Sequence, residues 1–396
     1  MKSSATSSRT VCWGYKVQFE FDDEQLALQE SVRRFLTERY DFETRRGCLA
    51  KPAGSSDEIW QAFAEQGFLS IGLPEVHGGI GGATELMLTM EEIGRALVLE
   101  PYLSTVALCA PLIVDYGTEA HQADLLPRVA AGGLKLALAH GEAEARYAST
   151  VRTEARRSGN SYLLNGAKTT VLDGAVADLL LVSAKAGKLL AVFLVDPNTP
   201  GVRLVRYRTQ DGRNAADVFF NDVKLRAGQM LGAGDATAAL ERAVQRGIAA
   251  LCAEAVGAME ATNATTIEYT KSRKQFGQPI GRFQALQHRM ADMFVQATQA
   301  RSMSLLATGR CANLVDTEKG DAALRRRDVS AAKCYVGKAA RFVGQQAVQL
   351  HGGMGMADEL AVSHYFKRLT MIDMTFGDST HHLAAVSDAI LLESRT

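Results

Sequence analysis

The stretch Leu240-Glu-Arg-Ala-Val-Gln-Arg-Gly-Ile-Ala-Ala-Leu-Cys-Ala-Glu-Ala-Val-Gly-Ala-Met259 decides the architecture of the C-terminal part of the chain. Leu240, Val244, Ile248, Leu251, Ala255 and Met259 recur at steps of three or four, which places them on one face of an α-helix. A second stripe, Leu286, Met290, Met293, Ala297 and Ala300, repeats the pattern. Stripes of this length predict long bundle helices whose apolar faces meet a core or a neighbouring subunit. Gly232 and Gly234 close the preceding segment, and Asp235 stands where an N-cap is expected. The run Arg325, Arg326, Arg327 reads as a solvated helix end.

Moving toward the N-terminus, the rhythm changes to short β-rich runs separated by turn residues. Tyr162 to Leu164, Leu179 to Val182, Leu189 to Val195, Val202 to Val205 and Asp217 to Leu225 predict a small antiparallel β domain. Pro197, Pro200, Gly159, Gly166, Gly174 and Gly201 fall between the runs, where turns need them. Further upstream the pattern is helical again. Asp22 followed by Gln25 predicts a capped amphipathic helix, Ser56 through Glu65 a second with Gly67 just past its end, and Glu85 to Leu97 a third. Gly78, Gly79, Gly81 and Gly82 resemble a phosphate cradle, but no strand precedes them, and a helix-to-helix turn is the better reading.

Composition narrows the classes. The chain has 396 residues, 47% hydrophobic and 22% charged, the proportions of a folded protein of two or three domains. Lys plus Arg and Asp plus Glu both number 44, so no overall charge draws it to nucleic acid or anionic lipid. The six cysteines are scattered without CxxC or zinc spacing, which favours a reduced compartment such as the cytoplasm and no metal site. No apolar run is long enough to span a membrane. Residues 1–18, rich in Ser and Thr with Lys2, Arg9 and Lys16, read as a flexible extension, with an organellar transit peptide as the alternative.

Two motifs carry more specific information. Tyr269-Thr-Lys-Ser-Arg-Lys-Gln-Phe-Gly-Gln-Pro-Ile-Gly-Arg-Phe-Gln-Ala-Leu-Gln-His288, followed by Ala291-Asp292-Met293, resembles the C-terminal signature of the acyl-CoA dehydrogenase flavoproteins. Ala347-Val-Gln-Leu-His-Gly-Gly-Met-Gly-Met356 is similar to that family's glycine turn near the adenine diphosphate half of FAD. Leu73-Pro74-Glu75 with Gly78-Gly79 resembles its N-terminal loop. The resemblance runs from about Phe19 to the end. It implies an α+β acyl-CoA dehydrogenase fold: an N-terminal helical domain over 19–133, a middle β domain over 134–232 and a C-terminal four-helix bundle over 233–396. Ala249 to Glu260, Phe342 to Gln346 and Tyr365 to Asp373 leading into Thr375-Phe-Gly-Asp378 most resemble the small subunit of pimeloyl-CoA dehydrogenase and similar enzymes built from two different subunits.

What the resemblance implies is FAD-dependent α,β-desaturation of an acyl-CoA, with removal of an α proton by a buried carboxylate. The acyl group would be dicarboxylic or bulky. The partner would be a homologous large subunit in an α2β2 assembly, or further copies in a homotetramer, and electron-transfer flavoprotein would be the acceptor. By the same resemblance Arg273, Gln275 and Phe276 reach FAD across a subunit interface, with Gln284, Gln349, Gly352 and Gly353 near the same cofactor. A guanidinium suits a pyrophosphate because its planar fork makes paired, charge-assisted hydrogen bonds.

Three departures stand against these matches. The family's usual catalytic Glu position is Phe376, before Gly377 and Asp378, and the alternative position is Gly247. Asp378 is then the only neighbouring acid and the candidate base, with Glu254, His351, His381 and His382 behind it. In Lys168-Thr-Thr-Val-Leu172, Thr170 and Leu172 replace the family's flavin-facing Trp and Thr, and Gly141-Glu-Ala-Glu-Ala-Arg146 replaces its loop upstream. The expectation is a subunit that completes a flavin site centred on its partner. The alternatives are a catalytically silent subunit, or a flavin-dependent oxidase of the same fold that uses Asp as base.

Overall fold

The computed structural model describes residues 21–144, 147, 150–312 and 322–393. The N-terminal extension lies outside these residues, as does the end of the Gly141 to Arg146 loop.

Six helices form the N-terminal part: α1 (Asp23–Arg39), α2 (Phe42–Ala50), α3 (Asp57–Glu65), α4 (Ala83–Ala96), then a π-helical turn Leu103–Cys109 running into α5 (Ala110–Tyr116), and α6 (Glu119–Ala130). The capping box is present: the Asp22 carboxylate accepts from the Gln25 amide at 2.8 Å, and the Gln25 side chain accepts from the Asp22 amide at 3.2 Å. Ser56 caps α3, and Leu97 ends α4 in the left-handed region. The glycine cluster is a helix-to-helix turn held by close packing. A Cβ on Gly79 would stand 1.9 Å from the Leu73 carbonyl oxygen.

The middle part is a seven-stranded sheet of β1 (Leu136–Ala139), β2 (Glu154–Ser158), β3 (Ser161–Leu172), β4 (Leu179–Ala186), β5 (Leu189–Val195), β6 (Val202–Arg208) and β7 (Asn214–Arg226). Its order is β1-β4-β2-β3-β7-β6, with β5 beside β4. The sheet is mostly antiparallel, as the sequence suggests. It departs from that pattern where β1 runs parallel to β4, in register Leu136 to Leu179, and where Glu154 of β2 pairs in parallel with Lys185.

The C-terminal part consists of α7 (Thr237–Ser272), a short hairpin of β8 (Lys274–Gln275) and β9 (Gln278–Pro279), α8 (Gln284–Cys311), α9 (Ala322–His351), α10 (Ala361–Met374) and α11 (Ser379–Glu393). Helices α7 to α10 make the bundle, and α11 lies against α9. Two sequence expectations are corrected here. Asp235 does not cap α7: its carboxylate accepts from the Leu190 amide at 3.0 Å and so ties β5 to the bundle. The arginine run is not free in solvent, because Arg325 donates to Gln245 and Arg326 to Glu241 on α7, both at 2.6 Å.

The central element is α7, buried without interruption from Gly247 to Met259. It crosses α4 through paired glycines. A Cβ on Gly257 would lie 1.7 Å from the Glu91 carbonyl oxygen, and one on Gly94 would lie 1.9 Å from that of Glu254. The two backbones touch, and any larger residue at either position would force them apart. One apolar core is shared by the N-terminal and C-terminal helices, a second fills the sheet, and a third joins α5, α6 and α7 to β1, β4 and β5.

Candidate functional site

Two regions answer to the residues singled out from the sequence. The first is the turn Thr375 to Asp378 between α10 and α11. Phe376 takes a left-handed backbone, φ 56°, and its side chain turns toward α7. A Cβ on Gly247 would stand 3.3 Å from a carbon of the Phe376 ring and 2.9 Å from Leu108. The two alternative positions for a catalytic carboxylate are therefore in contact, and both are apolar.

Buried donors fix this turn. Lys333 is fully buried, and its ammonium donates to the carbonyls of Asp373 and Gly377, both at 2.8 Å. Burial pulls its pKa down to about 8. His382 Nε2 lies 3.1 Å from the Phe376 carbonyl, and burial together with Lys333 pulls that imidazole down to about 4. The neutral ring places its proton on Nε2 to make this bond. Asp373 accepts from the Ser379 amide at 3.1 Å and from its hydroxyl at 2.5 Å.

Asp378 is the N-cap of α11. One carboxylate oxygen accepts from the Thr380 and His381 amides at 3.1 and 2.9 Å, and the other accepts from the Tyr147 hydroxyl at 3.3 Å. The carboxylate proposed as base is thus committed to ending a turn and starting a helix. His381 lies against Tyr147, with ring centroids 5.2 Å apart. Glu254 has a structural place as well. Arg368 grips both its oxygens at 2.7 and 2.6 Å and reaches Asp211 at 2.9 Å, while Arg213 stands 3.5 Å away. Burial works to raise the Glu254 pKa, yet these guanidiniums hold it below the usual range. The network joins α7, α10 and the β6–β7 loop.

On the sheet, the segment expected to face a flavin has its lysine buried and Thr170 exposed on a bulge. The β3–β7 register slips between Lys168 and Val171, a bulge in which Thr170 takes φ 50°. The Thr170 amide donates to Asp217 at 2.9 Å, and its hydroxyl accepts from Tyr207 at 3.3 Å. Lys168 is fully buried and donates to Glu142 at 2.7 Å and Ser183 at 3.1 Å. Burial pulls Lys168 down to about 8. Burial also opposes the charge on Glu142, but Lys168 and Thr153 overcome this and hold it at about 2.

The second region is the other end of the bundle. Arg273, Gln275 and Phe276 are exposed at the α7 terminus and the β8–β9 hairpin, with Phe276 90% exposed at the tip. Phe276 and Gly277 both have positive φ, 53° and 79°, which fits the tight two-residue turn of the hairpin. Among the described residues the Arg273 side chain has no partner. Gln349, Gly352 and Gly353 are exposed at the end of α9, and a Cβ on either glycine would meet nothing within 4 Å. Tyr269 joins the two groups. Its ring stacks on His351 at 4.2 Å and its hydroxyl donates to the His351 carbonyl at 3.3 Å. Gln284 is exposed at the start of α8.

The two regions differ in their fit to FAD. An unpaired guanidinium, exposed amides and an open glycine turn suit a diphosphate. The Phe376–Gly247 contact offers no base, and at the bulge the Thr170 amide is already taken by Asp217. They are also far apart. Gly247 and Arg273 are separated by 26 residues of one helix, about 39 Å, which is beyond the reach of a single dinucleotide.

Three structural features of these regions are not legible in the sequence motifs: Lys333, the Lys168–Glu142 pair and the Arg368 network. For Lys333 a signal existed. Val329, Lys333, Val336, Ala340 and Val343 step by four and three, so this lysine interrupts an apolar stripe.

Among the described residues no helix is long and apolar enough to cross a membrane, and no group of three or more His, Cys, Asp or Glu could hold a metal ion. Residues 22–133, 140–223 and 228–391 match, in turn, the N-terminal, middle and C-terminal domains of acyl-CoA dehydrogenase. Acyl-CoA dehydrogenase fadE12 of Mycobacterium tuberculosis (strain CDC 1551 / Oshkosh) is 32% identical over 322 residues, 78% of this chain and 81% of the relative. Among solved structures, the Tcur3481-Tcur3483 steroid ACAD shares 28% identity with a TM-score of 0.84, over 94% of this chain and 99% of that one. The ChsE4-ChsE5 complex from Mycobacterium tuberculosis shares 26% identity, also with a TM-score of 0.84, over 94% of this chain and 98% of that one.

Proposed function

The chain belongs to the acyl-CoA dehydrogenase family of FAD-dependent oxidoreductases, and we propose that it acts there as one subunit of a heteromeric enzyme, completing a flavin site centred on a homologous partner. The observation that carries this reading is the Phe376 ring seated on Gly247, where either alternative would need a carboxylate. The named complexes among its structural relatives, each of two different proteins, support it further.

When bound, FAD supplies the acceptor for the substrate's β-hydrogen. The work of this chain is recognition. The Arg273 fork would pair with diphosphate oxygens, the amides of Gln275, Gln284 and Gln349 would donate around it, and the open turn at Gly352-Gly353 would let backbone amides approach closely. The partner would contribute the base. Exposed apolar residues Phe276, Phe294, Val295, Leu383 and Ile390 on the hairpin, α8 and α11 give the assembly surface to bury. The substrate class is a dicarboxylic or bulky acyl-CoA, in keeping with the steroid enzyme among the relatives, and electron-transfer flavoprotein is the acceptor. The place of action proposed is the cytoplasm. The oxidase alternative finds no support in Asp378, whose oxygens are taken by the start of α11 and by Tyr147.

The test is flavin content. The chain alone should purify with little FAD, and its complex with a large subunit should hold a full complement in the shared sites. Arg273→Ala in this chain should then weaken FAD retention by the complex about 30- to 100-fold, the loss of a charge-assisted pair. A full flavin complement with dehydrogenase turnover in the isolated chain would overturn the reading.

A further inference from the structure

Between α1, α2 and α3 lies a cavity of about 310 Å³. Its wall is mostly apolar beside Thr44 and the buried Ser56: Phe35, Ile59 and Ala62 are half-buried, and the Cys48 thiol is buried, with its pKa raised by that burial so that it stays neutral. Two exposed cations border it, Arg39 from the last turn of α1 and Lys51 just past α2. Neither side chain has a partner among the described residues. Cations near helix C-termini interact favourably with the helix dipole, which accounts for their position in each helix but not for their convergence on one apolar recess. Glu58 is the single carboxylate on the border, so the opening carries one net positive charge.

We propose that this cavity binds an amphiphilic monocarboxylate, with the carboxylate held between Arg39 and Lys51 and a medium-length alkyl or aryl group against Phe35, Ile59 and Ala62. Size and charge set the class. The volume lies at the small end of the ~300–1,000 Å³ range of ligand pockets, which suits a medium-length acid. A doubly charged phosphate would meet Glu58 with no second excess cation to offset it. The site is tied to the sheet, since the Asn214 side chain donates to the Ala53 carbonyl at 2.8 Å and Arg208 donates to the carbonyls of Leu49 and Lys51. This inference is independent of the flavin reading.

Gly47 provides the decisive variant. It lines the cavity, and a Cβ there would meet nothing within 4 Å, so Gly47→Leu should fill the space without a clash while improving helix propensity in α2. Calorimetric titration of the full-length protein with octanoate should give saturable binding at one site. Gly47→Leu should abolish it, and Arg39→Gln with Lys51→Gln together should weaken it about tenfold. Octanol should bind much more weakly than octanoate. Absence of saturable binding in the unaltered protein, or unchanged binding in Gly47→Leu, would overturn the site, and equal binding of octanol would overturn the anion assignment. Unfolding curves of each variant verify that the fold is retained.

Discussion

The two ends of α7 present opposite kinds of surface. Around Gly247 and Phe376 the described polar groups are largely paired within the chain, with Lys333 on two carbonyls, Asp373 on Ser379 and Asp378 on two amides. Around Arg273, a guanidinium, several amides and a glycine turn stand open. A folded chain satisfies its buried polar groups internally, because an unpaired one costs free energy. Exposed groups with no internal partner carry no such requirement and are available to something else. On the proposed reading, the groups of this chain that hold the cofactor face outward. Substitutions at the closed end should therefore cost stability, and substitutions at the open end should cost flavin retention with little change in unfolding.

The largest effect is expected at Arg368. Replacing it with Met leaves Glu254 and Asp211 buried without their principal cation, and should destabilise the chain by about 3–5 kcal/mol in denaturant unfolding. Loss of flavin from the complex at unchanged stability would break the division between the two ends.

Next comes Lys333. Its pKa is about 8 in the folded chain against 10.5 for the free side chain, so between these values the unfolded chain binds more protons. Stability contributed through this group therefore rises with pH across that window, by up to about 3 kcal/mol. Lys168 is shifted the same way, so Lys333→Met should remove roughly half of the combined rise. Unfolding midpoints of the two proteins at either end of the window check this, and parallel pH profiles would mean that the ammonium is not desolvated as described.

These interior residues also mark where sequence reading stops. The α1 capping box and the strand Leu189–Val195 were legible because each rests on neighbouring residues and a simple period. The turn of helix at Leu103–Cys109 was not, since all seven residues are buried and burial on every side leaves no polar face to set a period. The motifs around Arg273 and Gly352 were legible because their residues are contiguous. The Arg368 network was not, as it joins residues 114 and 157 positions apart. Asp235 looked like a cap because its position before a helix satisfies the local rule, whereas a strand amide from elsewhere takes its carboxylate instead.

The smallest effect, and the one that bears most on chemistry, is expected at Asp378, which sits on the border of the closed region. Asn caps helices about as well as Asp, since either side-chain oxygen can accept from the first amides of α11. Its amide can also donate to the Tyr147 hydroxyl oxygen, reversing that bond without losing it. Asp378→Asn should thus shift stability by no more than about 0.5 kcal/mol. If the carboxylate serves only as a cap, the rate at which an acyl-CoA reduces the flavin of the assembled enzyme should be unchanged under anaerobic conditions. Loss of that reduction with flavin still bound would make Asp378 the base, and the closed end would then hold chemistry of its own.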